Sequence, residues 1–164
     1  RSSDLGRNAV YAASLGWDVF AYDFSEKAYQ KAMALAREKQ VEINYQIASL
    51  SDLTFANAFF DVIGLIYVHF PDSIRTSNHQ KLCSLLKIRG RIILEAFSTN
   101  HPQYQKINPR VGGPKMPTQL YSEEKLRTDF EGFEFTQLKE EKITLEEGTF
   151  HNGITTVMRM HALK

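Results

Sequence analysis

Near the start of the chain Asp4, Leu5, Gly6 and Arg7 precede an alanine-rich segment, and Asp23 closes the apolar run that follows it. In doubly wound folds a glycine turn lets a nucleoside ligand approach the backbone at a helix N-terminus. An acid ending the next strand then accepts hydrogen bonds from the ribose hydroxyls. The separation of Gly6 and Asp23 is close to that rule, which makes Asp23 the candidate ribose ligand. A lone glycine is a thin form of the motif, and an Asp at a strand end also serves as a turn or capping residue.

A second set of chemistry-bearing residues is Tyr67, His69, Glu95, Tyr121 and His151. His69 stands just past the apolar run of residues 61–68, at the strand end where active sites of open α/β sheets gather, and an imidazole with an ordinary pKa near 6.5 suits a base or an orienting donor. The competing reading is a part-buried histidine satisfied by a backbone carbonyl. Glu95 lies inside the apolar segment ILEAF, where an unpaired carboxylate is expensive. It therefore faces a polar cleft, sits at a strand end, or pairs with an Arg or Lys. Tyr121 and Lys115 lie on a proline-rich stretch that could close over a ligand, and Arg110 could meet an anion; the alternative for all three is a solvated loop. His151 falls in the glycine-flanked turn EGTFHNG. The five histidines show no HExxH or H-x-x-x-H spacing, and one cysteine excludes a Cys-based zinc site, so no metal is expected. His79 is expected on the solvent face of its helix, His161 reads as structural, and Cys83 as a small buried hydrophobe in a leucine stripe. Phe59, Phe60, Phe133 and Phe135 sit in strand or core patterns rather than as base-stacking groups.

These residues need elements to hold them. Arg7 to Leu15 has helical spacing with Gly16 as its stop, and WDVFAYD ending at Asp23 reads as a buried strand. Ser25 caps a second helix, whose stripe is Ala28, Ala32, Leu35 and Ala36. Strands follow at Ile43 to Ile47 and at Asp61 to Val68, the latter apolar enough to be covered on both faces. Pro71 and Asp72 open a helix, Gly90 turns the chain, and Ile92 to Leu94 form the next strand. Residues 98–119 hold four of the five prolines and no regular period, which predicts a long functional loop. Ser122 caps a short helix. Two antiparallel strands, Phe133 to Leu145 and Ile154 to Leu163, close the chain, and the mixed charges Lys139, Glu140, Glu141 and Lys142 mark a solvent-facing strand or turn. Alternating strands and helices predict an α/β fold with a parallel sheet.

Composition narrows the functions. A chain of 164 residues buries about 70% of its unfolded surface and can hold one real core. Lys plus Arg number 20 against 19 Asp plus Glu, and this even balance lacks the basic excess of a nucleic-acid binder. No apolar stretch approaches the length of a membrane span, and the single cysteine suits a reducing compartment. The expectation is a cytoplasmic monomer or homodimer acting on a small molecule, without nucleic acid or membrane as partner.

The order of segments resembles a particular family. LGRNAVYAASLGWDVFAYDFSEKAYQKA, VIGLIYVHFP, LLKIRGRIILEAF and GGPKMPTQLYSEEKLRTDF are similar to class I S-adenosylmethionine-dependent methyltransferases of the small tellurite-resistance-like bacterial group. The resemblance covers nearly the whole chain as one domain, residues 1–164. It implies a Rossmann-like, mostly parallel seven-stranded sheet in the order 3-2-1-4-5-7-6, with the last strand antiparallel and helices on both faces. The family's first strand and most of its glycine loop would precede Arg1, so an N-terminally incomplete domain is expected. The resemblance also implies S-adenosyl-L-methionine as methyl donor, contacted by Gly6, Arg7, Asp23, Phe24, Ser49, Leu50 and Tyr67, and an acceptor side built by His69, Tyr121 and His151. Two departures concern the site and its support. Ser49 stands where the family often has an acid for the adenine amino group, with Asp52 as a substitute three residues on; Lys87, Ile88, Arg89, Gly90 replaces a Lys-Pro-Gly-Gly turn. The readings set against an enzyme transferring methyl to a small molecule or ion are an NAD-binding Rossmann oxidoreductase domain and a non-catalytic S-adenosylmethionine-binding module.

Overall fold

Gly16 ends the first helix, α1 (Arg7–Ser14), by adopting a left-handed backbone, φ 85°. Its N–H donates to Ala13 O and that of Trp17 to Ala12 O, which satisfies the last carbonyls of the helix. Trp17 is thereby spent on closing α1 and is 52% exposed. Strand β1 begins only at Phe20 and ends at Asp23, and its four residues are half-buried rather than buried. The computed structural model describes residues 6–146 and 151–164, in two compact units, Arg1–Thr54 and Phe55–Lys164. Asp4 and Leu5, and Gly148 of the last turn, lie outside the described residues.

In the first unit β1 pairs in parallel with β2 (Asn44–Ile47), from Phe20 opposite Asn44 to Asp23 opposite Ile47. Helix α2 (Glu26–Lys39) joins them. Ser25 Oγ accepts the Ala28 N–H at 3.3 Å, Glu26 lies at the positive end of the helix and Arg37 and Lys39 at the negative end. Its small stripe, Ala32 and Ala36, packs with Val10 and Ile43, so α1 and α2 approach closely. A short 3-10 turn, Leu50–Asp52, follows β2.

The second unit runs β3 (Phe60–Ile66), α3 (Asp72–Leu85), β4 (Leu86–Phe97), α4 (His101–Ile107), α5 (Glu123–Asp129), β5 (Glu134–Glu146) and β6 (Asn152–Leu163). Its sheet has the order β3-β4-β6-β5, with β3 and β4 parallel and β6 antiparallel to both neighbours. That is the order expected for strands four, five, seven and six. The described residues thus form a two-stranded parallel sheet, β1 with β2, and a four-stranded mixed sheet instead of one seven-stranded, mostly parallel sheet.

Four local expectations change. Strand β3 alternates, with Ile63 and Leu65 buried and Asp61 and Gly64 exposed, so it is covered less fully than its apolar run suggests. No turn separates α3 from β4. Gly90 lies inside the strand, where the register jumps from Phe60 opposite Leu86 to Val62 opposite Arg91, and a bulge takes up the surplus residues. A Cβ at Gly90 would meet Leu86 Cγ and Lys87 O at 2.8 Å, which explains the glycine without a turn. Residues 98–119 are a folded segment rather than a loop. They hold α4 and two 3-10 turns, Pro109–Val111 and Pro117–Gln119, because Pro102 and Pro109 occupy first-turn positions where no backbone donor is needed. Burial of His101, Val111 and Leu120 anchors that segment. Phe59, expected in the core, is exposed beside Phe55 and Phe60, with ring centroids 5.0 Å away in each case.

Candidate active site

The donor-side residues belong to the first unit, apart from Tyr67. Asp23 ends β1, and its Oδ1 accepts the Ser25 N–H at 2.8 Å. That bond fixes the carboxyl group at the strand end, and among the described residues Oδ2 takes no hydrogen bond, leaving it to accept from a ligand hydroxyl. Phe24, beside it, is 75% exposed. Gly6 has φ 85° at the N-cap of α1, and a Cβ there would lie 2.3 Å from Ala32 Cβ. Its bare backbone therefore serves the approach of α1 to α2, the packing role that one glycine of dinucleotide-binding turns also has. Gly6 itself has no side chain with which to cap α1. Ser49 N–H and Oγ–H both donate to Asp52 Oδ2, at 2.9 and 2.6 Å, forming a capping box ahead of Leu50. Asp52, the expected substitute for the adenine-binding acid, thus has its Oδ2 engaged twice.

The acceptor-side residues belong to the second unit, where Phe97 gathers them. Its ring lies 5.0 Å from Tyr67, 5.6 Å from His69 and 5.7 Å from His151, and His69 also leans on Tyr121 at 5.6 Å. The segments that supply these rings, β3 and its end, β4, the 117–121 turn and the start of β6, are far apart in the chain. Tyr67 takes a left-handed φ of 53°, a conformation that costs a non-glycine residue about 1 kcal/mol. Its N–H continues the ladder to Glu95 O at 2.7 Å and its hydroxyl donates to Glu95 Oε1 at 2.9 Å. Glu95 Oε2 accepts from Arg159 Nε at 2.7 Å, and Arg159 also donates to Glu141 at 2.8 Å. The paired-carboxylate alternative is therefore the one realised for Glu95.

His69 donates Nδ1–H to Gln119 O at 2.8 Å, and its Nε2 accepts the Phe97 N–H at 3.4 Å. The nearby carbonyl defines the tautomer, since only a protonated nitrogen can meet it. Burial pushes its pKa down to about 4, against the Gln119 bond that favours the charged form, and His101 and His151 add to the depression. At neutral pH the ring is uncharged, with its lone pair on Nε2. Tyr121, read as part of a lid over a ligand or else of a solvated loop, is 1% exposed, and burial pushes its hydroxyl far above the ordinary range. Its ring packs against His69. His151 is buried edge-on to Tyr67, with centroids 5.6 Å apart. Arg110 and Lys115 are exposed, as the solvated-loop reading has it.

Sequence reasoning missed His79, Asp129 and His101. His79, expected in solvent, is fully buried and donates Nδ1–H to Asp129 Oδ2 at 2.8 Å. The signal was present in the helical spacing of Arg75, His79 and Leu82, which share a face of α3. Burial alone would raise the Asp129 carboxyl, but hydrogen bonds from His79, Arg75 and Thr76 outweigh it and hold the group down at about 2. His101 carried no sequence signal; it donates Nε2–H to Gly112 O at 2.9 Å and stacks on Phe97 at 4.0 Å. Burial pushes the Cys83 thiol up to about 11, so it is a poor nucleophile at neutral pH. Among the described residues no group of three or more His, Cys, Asp or Glu is arranged to hold a metal, and no helix is long and apolar enough to cross a membrane.

The described residues form an α/β arrangement with a two-stranded and a four-stranded sheet, and sequence comparison gives the chain a family. Residues 5–90 match the family described as a methyltransferase domain, and the chain belongs to that family. Three uncharacterized methyltransferases of Schizosaccharomyces pombe are each 31% identical over 105 residues, 61% of this chain and 71% of theirs. Among solved structures, a SAM-dependent methyltransferase of Methanosarcina mazei superposes with a TM-score of 0.77 at 17% identity, covering 99% of this chain and 88% of that one. TehB of Haemophilus influenzae gives 0.74 at 16%, covering 98% and 54%. The magnesium protoporphyrin IX methyltransferase of Synechocystis PCC 6803, solved with bound SAH, gives 0.72 at 19%, covering 98% and 70%. At these identities the likeness shows the fold, an α/β methyltransferase fold.

Proposed function

We propose that the protein transfers a methyl group from S-adenosyl-L-methionine to a small-molecule or small-ion acceptor. The observation that carries this reading is Asp23: a carboxylate at the end of β1, oriented by Ser25 N–H at 2.8 Å and holding one oxygen open for a ribose hydroxyl. Exposed Phe24 beside it offers an apolar face, and the backbone of Leu50 follows the next strand end as an edge for the base. The sulfonium donor supplies an activated methyl and its own leaving group. What remains for the protein is alignment and exclusion of water, with a base needed only for a weakly acidic acceptor.

In the second unit the neutral imidazole of His69 has its Nε2 lone pair on the Phe97 N–H at 3.4 Å, a long bond that an acceptor group would have to replace, and His151 and Tyr67 pack the ring cluster around Phe97. His69 is the residue that orients the acceptor or takes its proton. The even balance of 20 basic against 19 acidic residues supports a small acceptor over a nucleic acid, and the one cysteine supports a reducing, cytoplasmic setting.

Calorimetry with S-adenosylmethionine, S-adenosylhomocysteine and NAD tests the donor. Saturable binding of the first two and none of NAD is expected; NAD binding without a response to S-adenosylmethionine overturns the reading. Release of S-adenosylhomocysteine across a panel of thiols, amines, hydroxyls and oxyanions then tests the transfer. Tight donor binding with no turnover on any of them would favour a binding module.

A further inference from the structure

Six rings follow one another through the second unit. Phe130 stacks on His79 with centroids 4.8 Å apart, His79 on Tyr121 at 5.8 Å, and Tyr121 leans on His69 at 5.6 Å. His69 stacks on Phe97 at 5.6 Å and Phe97 on His101 at 4.0 Å. Four of the separations are those of packed aromatic pairs, and the fifth, Phe97 to His101, is closer still.

The column is pinned at its ends. At one, Asp129 accepts from His79 Nδ1 at 2.8 Å, Arg75 Nε at 2.6 Å and Thr76 Oγ1 at 2.7 Å, so three residues of α3 converge on α5. At the other, His101 is held by Gly112 O at 2.9 Å and by the Thr155 hydroxyl. His69, in the middle, is held differently. Among the described residues its hydrogen bonds go only to backbone, Gln119 O and Phe97 N. Gln119 lies two residues before Tyr121, and Phe97 is itself a ring of the column.

Tyr121 is the link. Its hydroxyl lies 3.4 Å from His79 Nε2. Its backbone is clamped too, its N–H donating to Phe97 O at 3.1 Å and its carbonyl accepting from Thr99 N–H at 2.9 Å. A shift of Tyr121 therefore moves both partners of His69: Phe97 through the backbone bond and Gln119 through the turn. A staple of α3 to α5 would need Asp129 and Arg75 alone. It gives no reason for a buried imidazole that turns its second nitrogen toward Tyr121.

We propose that His79 and Asp129 are positioning residues that act through Tyr121 to hold His69 in the single Nδ1–H tautomer and ring orientation used toward the methyl acceptor. This rests on the reading that His69 serves the acceptor. Because a neutral imidazole has two tautomers of opposite donor and acceptor sense, only the Nδ1–H form satisfies both Gln119 O and the Phe97 N–H, and only that form leaves Nε2 basic once an acceptor replaces the 3.4 Å Phe97 bond.

Two variants test it. His79→Phe keeps a ring in the column and removes both nitrogens, while Tyr121→Phe removes only the hydroxyl. The first readout is the nitrogen-15 correlation spectrum of the His69 imidazole at neutral pH, which reports the tautomer and needs no acceptor. The second is kcat and KM with an acceptor from the panel above, beside donor affinity by calorimetry. Folded variants should show His69 as a mixture of tautomers, donor affinity within about 2-fold, and kcat lowered about 10- to 100-fold with a smaller change in acceptor KM. The double variant should be no worse than His79→Phe alone, since the two act in series.

An unchanged His69 spectrum in folded His79→Phe, or single-variant losses that multiply in the double variant, overturns the proposal. If His79→Phe does not fold, the same spectrum and kinetics of Tyr121→Phe decide it. A tautomer change with no methyl transfer to any acceptor supports the coupling and sinks the functional reading instead, so the two failures are distinct.

Discussion

Acidification should weaken the protein through His69 well before the carboxylates titrate. In the unfolded chain this imidazole has its ordinary pKa of 6.5, whereas burial in the ring column lowers it to about 4. Between those values the unfolded chain binds a proton that the folded chain refuses. Stability from this group is thus complete above about pH 6.5 and declines as the pH falls toward 4, where the folded form takes the proton too. A difference of that size corresponds to about 3 kcal/mol, a large share of the total stability of a small protein. His101, lowered chiefly by burial as well, adds in the same direction. The assay is urea unfolding followed by far-UV circular dichroism at several pH values from about 7.5 to 4.5, for the wild type and for His69→Asn. Asparagine does not titrate, and its amide can still donate to Gln119 O, so the difference between the two curves isolates the imidazole. The wild type should lose about 2–3 kcal/mol more than the variant over that range. Parallel curves would refute the burial argument.

Other outcomes follow from the same structure. Asp129→Asn removes the charge that Arg75, His79 and Thr76 converge on and should cost about 3 kcal/mol in urea unfolding; a loss below about 1 kcal/mol would show that the network adds nothing. The Asp129 charge contributes stability above the unfolded carboxyl value of 3.8 and loses it as the pH falls to about 2, a more acidic window than that of His69. Gly6→Ala forces a left-handed alanine and a Cβ 2.3 Å from that of Ala32, so the first unit should lose about 2–4 kcal/mol, read by the fluorescence of the single tryptophan, Trp17. Asp23→Ala should weaken S-adenosylmethionine about 10- to 100-fold in calorimetry without altering the thermal midpoint of the apo protein by more than a few degrees. An unchanged affinity would remove this carboxylate from the donor site.

Covering residues away from one another explains where partners arise. Glu95 would be costly alone in an apolar strand, but β6 runs antiparallel beside β4 and sets Arg159 opposite Glu95. The exposed charges of β5 then join in, Lys139 pairing with Glu141 at 2.6 Å and Glu141 with Arg159. The ion pair is a consequence of register, which is why reading either strand singly left the carboxylate with several options.

The amino-acid order alone determined what depends on neighbours within a few residues. Gly16 as the stop of α1, Ser25 and Ser122 as caps, the alanine stripe of α2 and the β5–β6 pair all follow from local periodicity and hydrogen-bonding capacity, and so does Asp23 at a strand end. The tertiary structure decided everything that joins distant segments. It buried His79 on Asp129, packed Tyr121 against His69, folded residues 98–119 into α4 and its turns, and absorbed Gly90 into a bulge. A polar residue on a helix or in a proline-rich stretch carries no mark of which face will be covered. Its burial is settled by partners that only the finished fold brings within a hydrogen bond's length.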